Sequence, residues 1–432
     1  MDVSLEYGRG ALDLTLPSNA RPTIIRKPVM DLPDDPGAAI EAALAAPMGC
    51  APLSELARDA RSACILICDI TRPVPNGLFL RPLIEQLIGA GVPAPGITVL
   101  VATGLHRPNL GDELEEVLGD PWVSRTVRVV NHDARDEREC VHLGRTATHD
   151  CPVGLNRLFV EADIKIATGL VEPHFMAGYS GGRKVIAPGV AHQETIRTFH
   201  SARFMESPLA TSCNLDGNPL HQTQLEIVAM LEGPVLALNT VIDEARRLAF
   251  VSFGEIVESH LAAVAFARGS CEVAAGRRFS TVITSSAGYP LDKTYYQTVK
   301  GMVTPLGILA PGGTLIIASE CSEGLGSPEF RAAQERLVAL GADRFLETLT
   351  AKSLADVDEW QTEMQLKPMR VGRIQLYAPS LGDDHDVTGV ERIDDLQAAI
   401  SDAIQCHGDP DIAVIPEGPY VVPFDTLPMA AE

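Results

Sequence analysis

The stretch His174 to Gly189, "HFMAGYSGGRKVIAPG", offers two catalytic patterns at once. Gly178-Tyr179-Ser180-Gly181-Gly182 fits the G-x-S-x-G elbow of serine hydrolases. That elbow needs a strand running straight into the serine and a helix straight after it. Here the apolar run "IKIATGL" ends before Glu172-Pro173, well short of Ser180, and no HGGG-type oxyanion loop is present. A Walker loop is excluded, because Arg183 precedes Lys184 and Val185 follows it. Backbone N–H groups of "GYSGGRK" could still cup one phosphate, with Arg183 or Lys184 adding charge. Gly178, Gly181 and Gly182 stand within five positions, which favours close approach to something.

His174, His192 and His200 fall in one segment and invite a zinc reading. His192 and His200 are eight apart in a helical stretch, so they point about 80° apart around its axis. Two helical ligands to one metal prefer a spacing of four, so a three-histidine site is not expected, although one of them could bind a metal. His106 and His174 each follow an apolar strand, where an imidazole titrating near neutral pH suits a general base. In "YYQTVKGM", Tyr296 and Lys300 share a helix face with Gln297 beside them. One charge and two hydrogen-bonding groups in that order could hold a carboxylate.

The elements that must position these groups alternate. "ACILICDITRPVP", "GITVLVATGLHRPN", "RTVRVVNHD" and "IKIATGLVEPH" are apolar strands that run into polar loops, with helical stretches such as "GLFLRPLIEQLIGAGVP" between them. This order predicts an α/β fold: two domains of mainly parallel sheets flanked by helices. Ligands in such sheets bind beyond the carboxyl ends of strands, where Asp69, Thr71, Arg72, His106 and His174 all fall. A second block with the same rhythm starts near "RRFSTVITSS". The boundary is placed within residues 266–279, giving domains 1–272 and 273–432, with the active site expected in the cleft between them. The final "PFDTLPMAAE" is expected to fray or to pack back on the first domain.

The chain has 432 residues, 46% of them hydrophobic, with 35 Lys+Arg against 57 Asp+Glu and a net charge of -22. That surplus excludes nucleic acid and anionic membrane as partners. No basic leader with an apolar run opens the chain, and no apolar stretch is long enough for a membrane span. Nine cysteines lie scattered without a C-x-x-C pair, which points to a reducing cytoplasm.

Taken together, "DITRPVP", "TGLHRPN", "EPHFMAGYSGGRKVIAPG", "TFHSARFM", "GYPLDKTYYQTVKG" and "DEWQ" resemble the signatures of the nickel-dependent lactate racemase family. They stand in the family's order and run through most of the chain. The resemblance implies a nickel-pincer nucleotide, a pyridinium-3-thioamide-5-thiocarboxylic acid mononucleotide carrying nickel, attached covalently through Lys184. Nickel is then held by a carbon and two sulfurs of the cofactor and by one imidazole, matched by His200. Asp69, Thr71, Arg72, Gly178, Ser180, Gly181 and Gly182 match positions around the cofactor and its phosphate. His106 and His174 match two acid/base histidines. Arg72, Gln297 and Lys300 match groups that orient the substrate carboxylate and hydroxyl, with Tyr296 alongside and Trp360 walling the site. The partners implied are a small 2-hydroxyacid and the enzymes that make the cofactor.

The implied reaction is inversion of a carbon bearing H, OH and a carboxylate. Its C–H is weakly acidic, so removing hydride while a base takes the hydroxyl proton is the easier route. The flat 2-keto acid can take hydride back on either face, and each enantiomer then needs its own proton acceptor. Lactate, malate, longer or aromatic hydroxyacids and sugar acids all suit these residues. Two other readings are a non-catalytic sugar-acid or nucleotide-binding protein on the same scaffold, and an α/β-hydrolase using Ser180.

Overall fold

The computed structural model describes residues 1–427. The chain forms two compact units, one of Met30–Phe199 with Pro208–Arg268, the other of Met1–Val29, His200–Ser207 and the chain from Gly269 onward. The expected α/β class with mainly parallel sheets is what folds. A single cut near residue 272 is not. The helix Ile256–Cys271 runs into the expected boundary, and two distant segments join the second unit.

In the first unit a six-stranded sheet has the order Leu248–Glu255, Val235–Ile242, Ile164–Leu170, Ala63–Cys68, Ile97–Ala102, Arg128–Asn131. Only the first pair is antiparallel. All six residues of Ala63–Cys68 and all seven of Ile164–Leu170 are buried, as strands covered on both faces require. The helix Asn76–Gly89 covers one face through Phe79, Leu80, Leu83, Ile84 and Leu87, a 3.6-residue apolar stripe. The chain leaves Ala63–Cys68 toward one side of the sheet and later returns to its other side with Ile164–Leu170. The winding direction therefore reverses between these two strands, which opens a crevice at their carboxyl ends.

The second unit holds an all-parallel sheet in the order Glu391–Arg392, Arg373–Tyr377, Leu309–Ala318, Phe279–Ser285, Asp411–Ile415, Arg21–Ile24. The last strand explains why the chain's start belongs here. Arg21–Ile24 pairs with Asp411–Ile415, and the hairpin before it buries Val3, Leu5, Leu14 and Leu16 with Ile283, Ile316 and Ile400. Val422–Phe424 pairs with Glu272–Ala274, so the described part of the tail stays with the second unit. Residues 428–432 of the expected tail lie outside the described residues. No helix among the described residues is long and apolar enough to cross a membrane.

Candidate active site

The strand Ala63–Cys68 delivers Asp69, Thr71 and Arg72 to the crevice, and Ile97–Ala102 delivers His106. Asn109 ties the two loops together, its buried amide oxygen accepting from the Ile70 backbone at 3.3 Å. Asp69 is buried, and its Oδ2 lies 2.6 Å from Nδ1 of His106 while Oδ1 accepts from the Thr71 hydroxyl at 2.5 Å. Burial alone would raise the Asp69 carboxyl; the bonds from His106 and Thr71 outweigh it and hold the group below the usual carboxylate range. An ionised carboxylate only accepts, so the proton of His106 sits on Nδ1. In the neutral ring Nε2 then carries the lone pair, on a side chain that is 61% exposed. Asp69 and Thr71, matched by resemblance to the cofactor, here orient a histidine.

His174 is set the other way. It closes a two-residue ladder with Gly178–Tyr179, and its Nδ1 accepts the backbone N–H groups of Met176 at 3.3 Å and Ala177 at 3.2 Å. An acceptor Nδ1 places the proton of the neutral ring on Nε2. The two histidines thus present opposite hydrogen-bonding faces, a lone pair at His106 and an N–H at His174. Glu172, two residues before His174, ion-pairs with Arg72. Arg72 therefore already has a carboxylate partner.

The glycine loop folds against the protein's own elements. A Cβ on Gly178 would stand 2.2 Å from the Asn214 carbonyl oxygen, on Gly181 2.5 Å from Val171, and on Gly182 3.1 Å from the His260 ring. All three also have positive φ, at 78°, 82° and 46°. The backbone N–H groups of Tyr179, Ser180, Gly182 and Lys184 donate to Ala177, Glu172, Asn239 and Gly181. These four donors are satisfied within the protein. Ser180 is 1% exposed and its hydroxyl donates to the Leu170 carbonyl at 2.7 Å, facing inward, which removes the hydrolase reading. Arg183 is 1% exposed as well. Its Nε donates to His221 at 2.6 Å and its Nη1 to His260 at 2.9 Å, while Nε2 of His260 contacts the Ser180 carbonyl at 2.8 Å. Burial lowers Arg183 to about 9, and burial with the Arg183 charge lowers His221 to about 3, so this strut is one cation on two neutral rings.

Lys184 is the second residue of the one-turn helix Arg183–Ile186 and is half-buried. It and Arg72 both act on the thiol of Cys68, which burial pushes up to about 11 against their pull. Two cations and an oriented histidine therefore gather at the carboxyl end of Ala63–Cys68. A half-buried amine beside a second cation suits a tether for an anionic nucleotide, and the residues present fit that group. Among the described residues no three His, Cys, Asp or Glu side chains converge to hold a metal.

In the second unit Tyr296, Gln297 and Lys300 lie on the helix Tyr295–Val303, which is capped by Thr294. Burial, then Asp358, raises the Tyr296 phenol, which hydrogen-bonds with Trp360 and Asp358. Trp360 is 8% exposed and packs on His200, ring centroids 4.9 Å apart. Gln297 Oε1 is buried with no partner among the described residues.

Residues 7–212 match the family model for the lactate racemase N-terminal domain, and 276–422 the model for the lactate racemase C-terminal domain. The chain belongs to the lactate racemase family. A lactate racemase of Thermoanaerobacterium thermosaccharolyticum is 33% identical over 333 residues, 76% of each chain. One of Lactiplantibacillus plantarum is 34% identical over 292 residues, 67% of this chain and 68% of that one. The apoprotein structure of the T. thermosaccharolyticum lactate racemase superposes with a TM-score of 0.90 at 27% identity, covering 98% of this chain and all of that one. A Thermotoga maritima protein shares the fold with a TM-score of 0.65 at 18% identity, covering 91% of this chain and 99% of that one.

As a member of the lactate racemase family the chain is an isomerase. Three features around the candidate residues of the two units escape sequence reasoning: Glu172 on Arg72, the His221–Arg183–His260 strut, and Asp358 beside Tyr296. Only Glu172 carried a local sign, since it stands two residues before His174 in "EPH".

Proposed function

We propose that this protein racemises a lactate-like 2-hydroxyacid with a nickel-pincer nucleotide tethered to Lys184. The observation that carries the reading is the opposite setting of two imidazoles, a lone pair at His106 and an N–H at His174. A racemase has to take a proton from one enantiomer's hydroxyl and give one to the other's. Nε2 of His106 takes the first, and the Asp69 carboxylate stabilises the imidazolium that results. His174 faces the oxygen of the opposite enantiomer through Nε2.

When bound, the cofactor supplies an acceptor for the substrate's α-hydrogen as hydride, with His200 as its protein ligand to nickel. Lys184 holds that group in place, and the Arg183 strut holds the loop that carries Lys184. Gln297 Oε1, buried and unpartnered, suits a donated substrate hydroxyl. Lys300 supplies charge for the carboxylate; Arg72 adds to it only by loosening its pair with Glu172. Trp360 walls the site and backs His200. His174 delivers a proton as imidazolium only if Nδ1 is also protonated, which requires the Met176 and Ala177 amides to turn away. The 174–177 turn is therefore the part of the site that must shift in turnover.

The test is a chirality-resolved assay on protein co-expressed with the cofactor-making enzymes. The substrates are single enantiomers of lactate, malate, longer and aromatic hydroxyacids and sugar acids. At least one pair is expected to interconvert to an equal mixture from either side, and protein made without those enzymes is expected to be inactive. Loaded protein that inverts none of them contradicts the proposal.

A further inference from the structure

The segment His200–Ser207 belongs to the second unit, although the residues on both sides of it belong to the first. Three contacts seat it on the helix Glu359–Val371 and its neighbours. His200 packs on Trp360 with ring centroids 4.9 Å apart. Ala202 is buried among Leu337, Phe345, Leu349 and Leu366. Glu206 takes two bonds from Arg370, at 2.8 and 3.1 Å. Between Trp360 and Arg370, one turn from each of Trp360 and Lys367, stands Glu363.

Glu363 is 1% exposed, and its Oε1 has no hydrogen-bond partner among the described residues. The charges that act on it are Glu206 from the segment, and Lys367, Glu359 and Arg370 from its own helix. The neighbouring elements bring Arg336 and Lys352, both already on Glu359, and Tyr295, on Gln365. An ionised carboxylate here would face Glu206 from inside a packed interface, with one oxygen lacking a donor. Burial and then Glu206 push Glu363 up to about 8.

We propose that Glu363 is a positioning residue whose neutral carboxyl lets the His200 segment seat on this helix, and whose ionisation unseats it. Its bearing on catalysis rests on reading His200 as the metal ligand. The sign follows from linkage. Once the segment lifts, water reaches Glu363 and it ionises near its ordinary value of 4.5. A carboxyl raised in the seated state stabilises seating fully below 4.5, progressively less up to about 8, and not at all beyond.

Hydrogen exchange by mass spectrometry on cofactor-free protein reads this directly, whether or not His200 binds nickel. In peptides covering 200–207, wild-type exchange divided by that of Glu363→Gln is expected to climb up to about tenfold per pH unit between roughly pH 5 and 8, then level off. Glutamine keeps the shape and cannot ionise. If the variant does not fold, the same climb is expected for the wild-type segment measured against the Leu396–His407 helix of the same molecule. A ratio that stays flat from roughly pH 5 to 9 in either comparison overturns the proposal.

Discussion

Lys184→Arg, co-expressed with the cofactor-making enzymes, is expected to fold as the wild type does and to show no racemisation. Arginine keeps a positive charge beside Arg72 and Cys68 in a half-buried place that accepts a long basic side chain. A guanidinium stays protonated and is no nucleophile at neutral pH, so the covalent link cannot form. What survives is acid–base assistance worth about 10²- to 10⁴-fold, with nothing to take the α-hydrogen. The expected fall in kcat is therefore at least about 10⁴-fold. Intact mass should show an adduct on the wild type and none on the variant, with thermal melting little changed. Undiminished turnover by an unmodified variant would remove Lys184 from the mechanism.

Asp69→Asn should lower kcat by about 10²- to 10⁴-fold while leaving the cofactor adduct in place. The carboxylate fixes the proton of His106 on Nδ1 because it can only accept. An asparagine amide can donate to Nδ1 instead, which moves the proton to Nε2 and blocks the lone pair that has to act. Raising the pH does not repair this, since the proton is misplaced and not merely retained. Asp69 itself is held below the usual carboxylate range, so its ionised form is in force above that range and is lost only as pH falls through its lowered value. His106→Gln should cost as much, and the double variant little more than either single one, because the pair acts as a unit. Both directions should slow together, since the two enantiomers have equal energy. Additive losses in the double variant would show that Asp69 acts elsewhere.

The α/β class with mainly parallel sheets was legible because runs such as "ACILIC" and "IKIATGL" are apolar throughout, as doubly covered parallel strands must be. The placement of Asp69, His106 and His174 at strand ends followed from the same pattern. The division of the chain did not. Arg21–Ile24 reads as any short strand, and only its pairing with Asp411–Ile415, some 390 residues away in sequence, decides its unit. The glycine loop was legible only in part. Glycine signals close approach, but the sequence does not say of what, and in the fold a Cβ on Gly178, Gly181 or Gly182 would meet Asn214, Val171 or His260. Tautomers were equally hidden, since they depend on whether a carboxylate or two amides face Nδ1.

Racemisation of lactate deuterated at its α carbon, run in ordinary water with fully loaded protein, tests the mechanism most directly. Transfer of that hydrogen as hydride predicts that the inverted product keeps its deuterium. Complete loss of the label to solvent with every inversion would mean that a proton leaves carbon, and the proposed roles of His106, His174 and Lys184 would fall together.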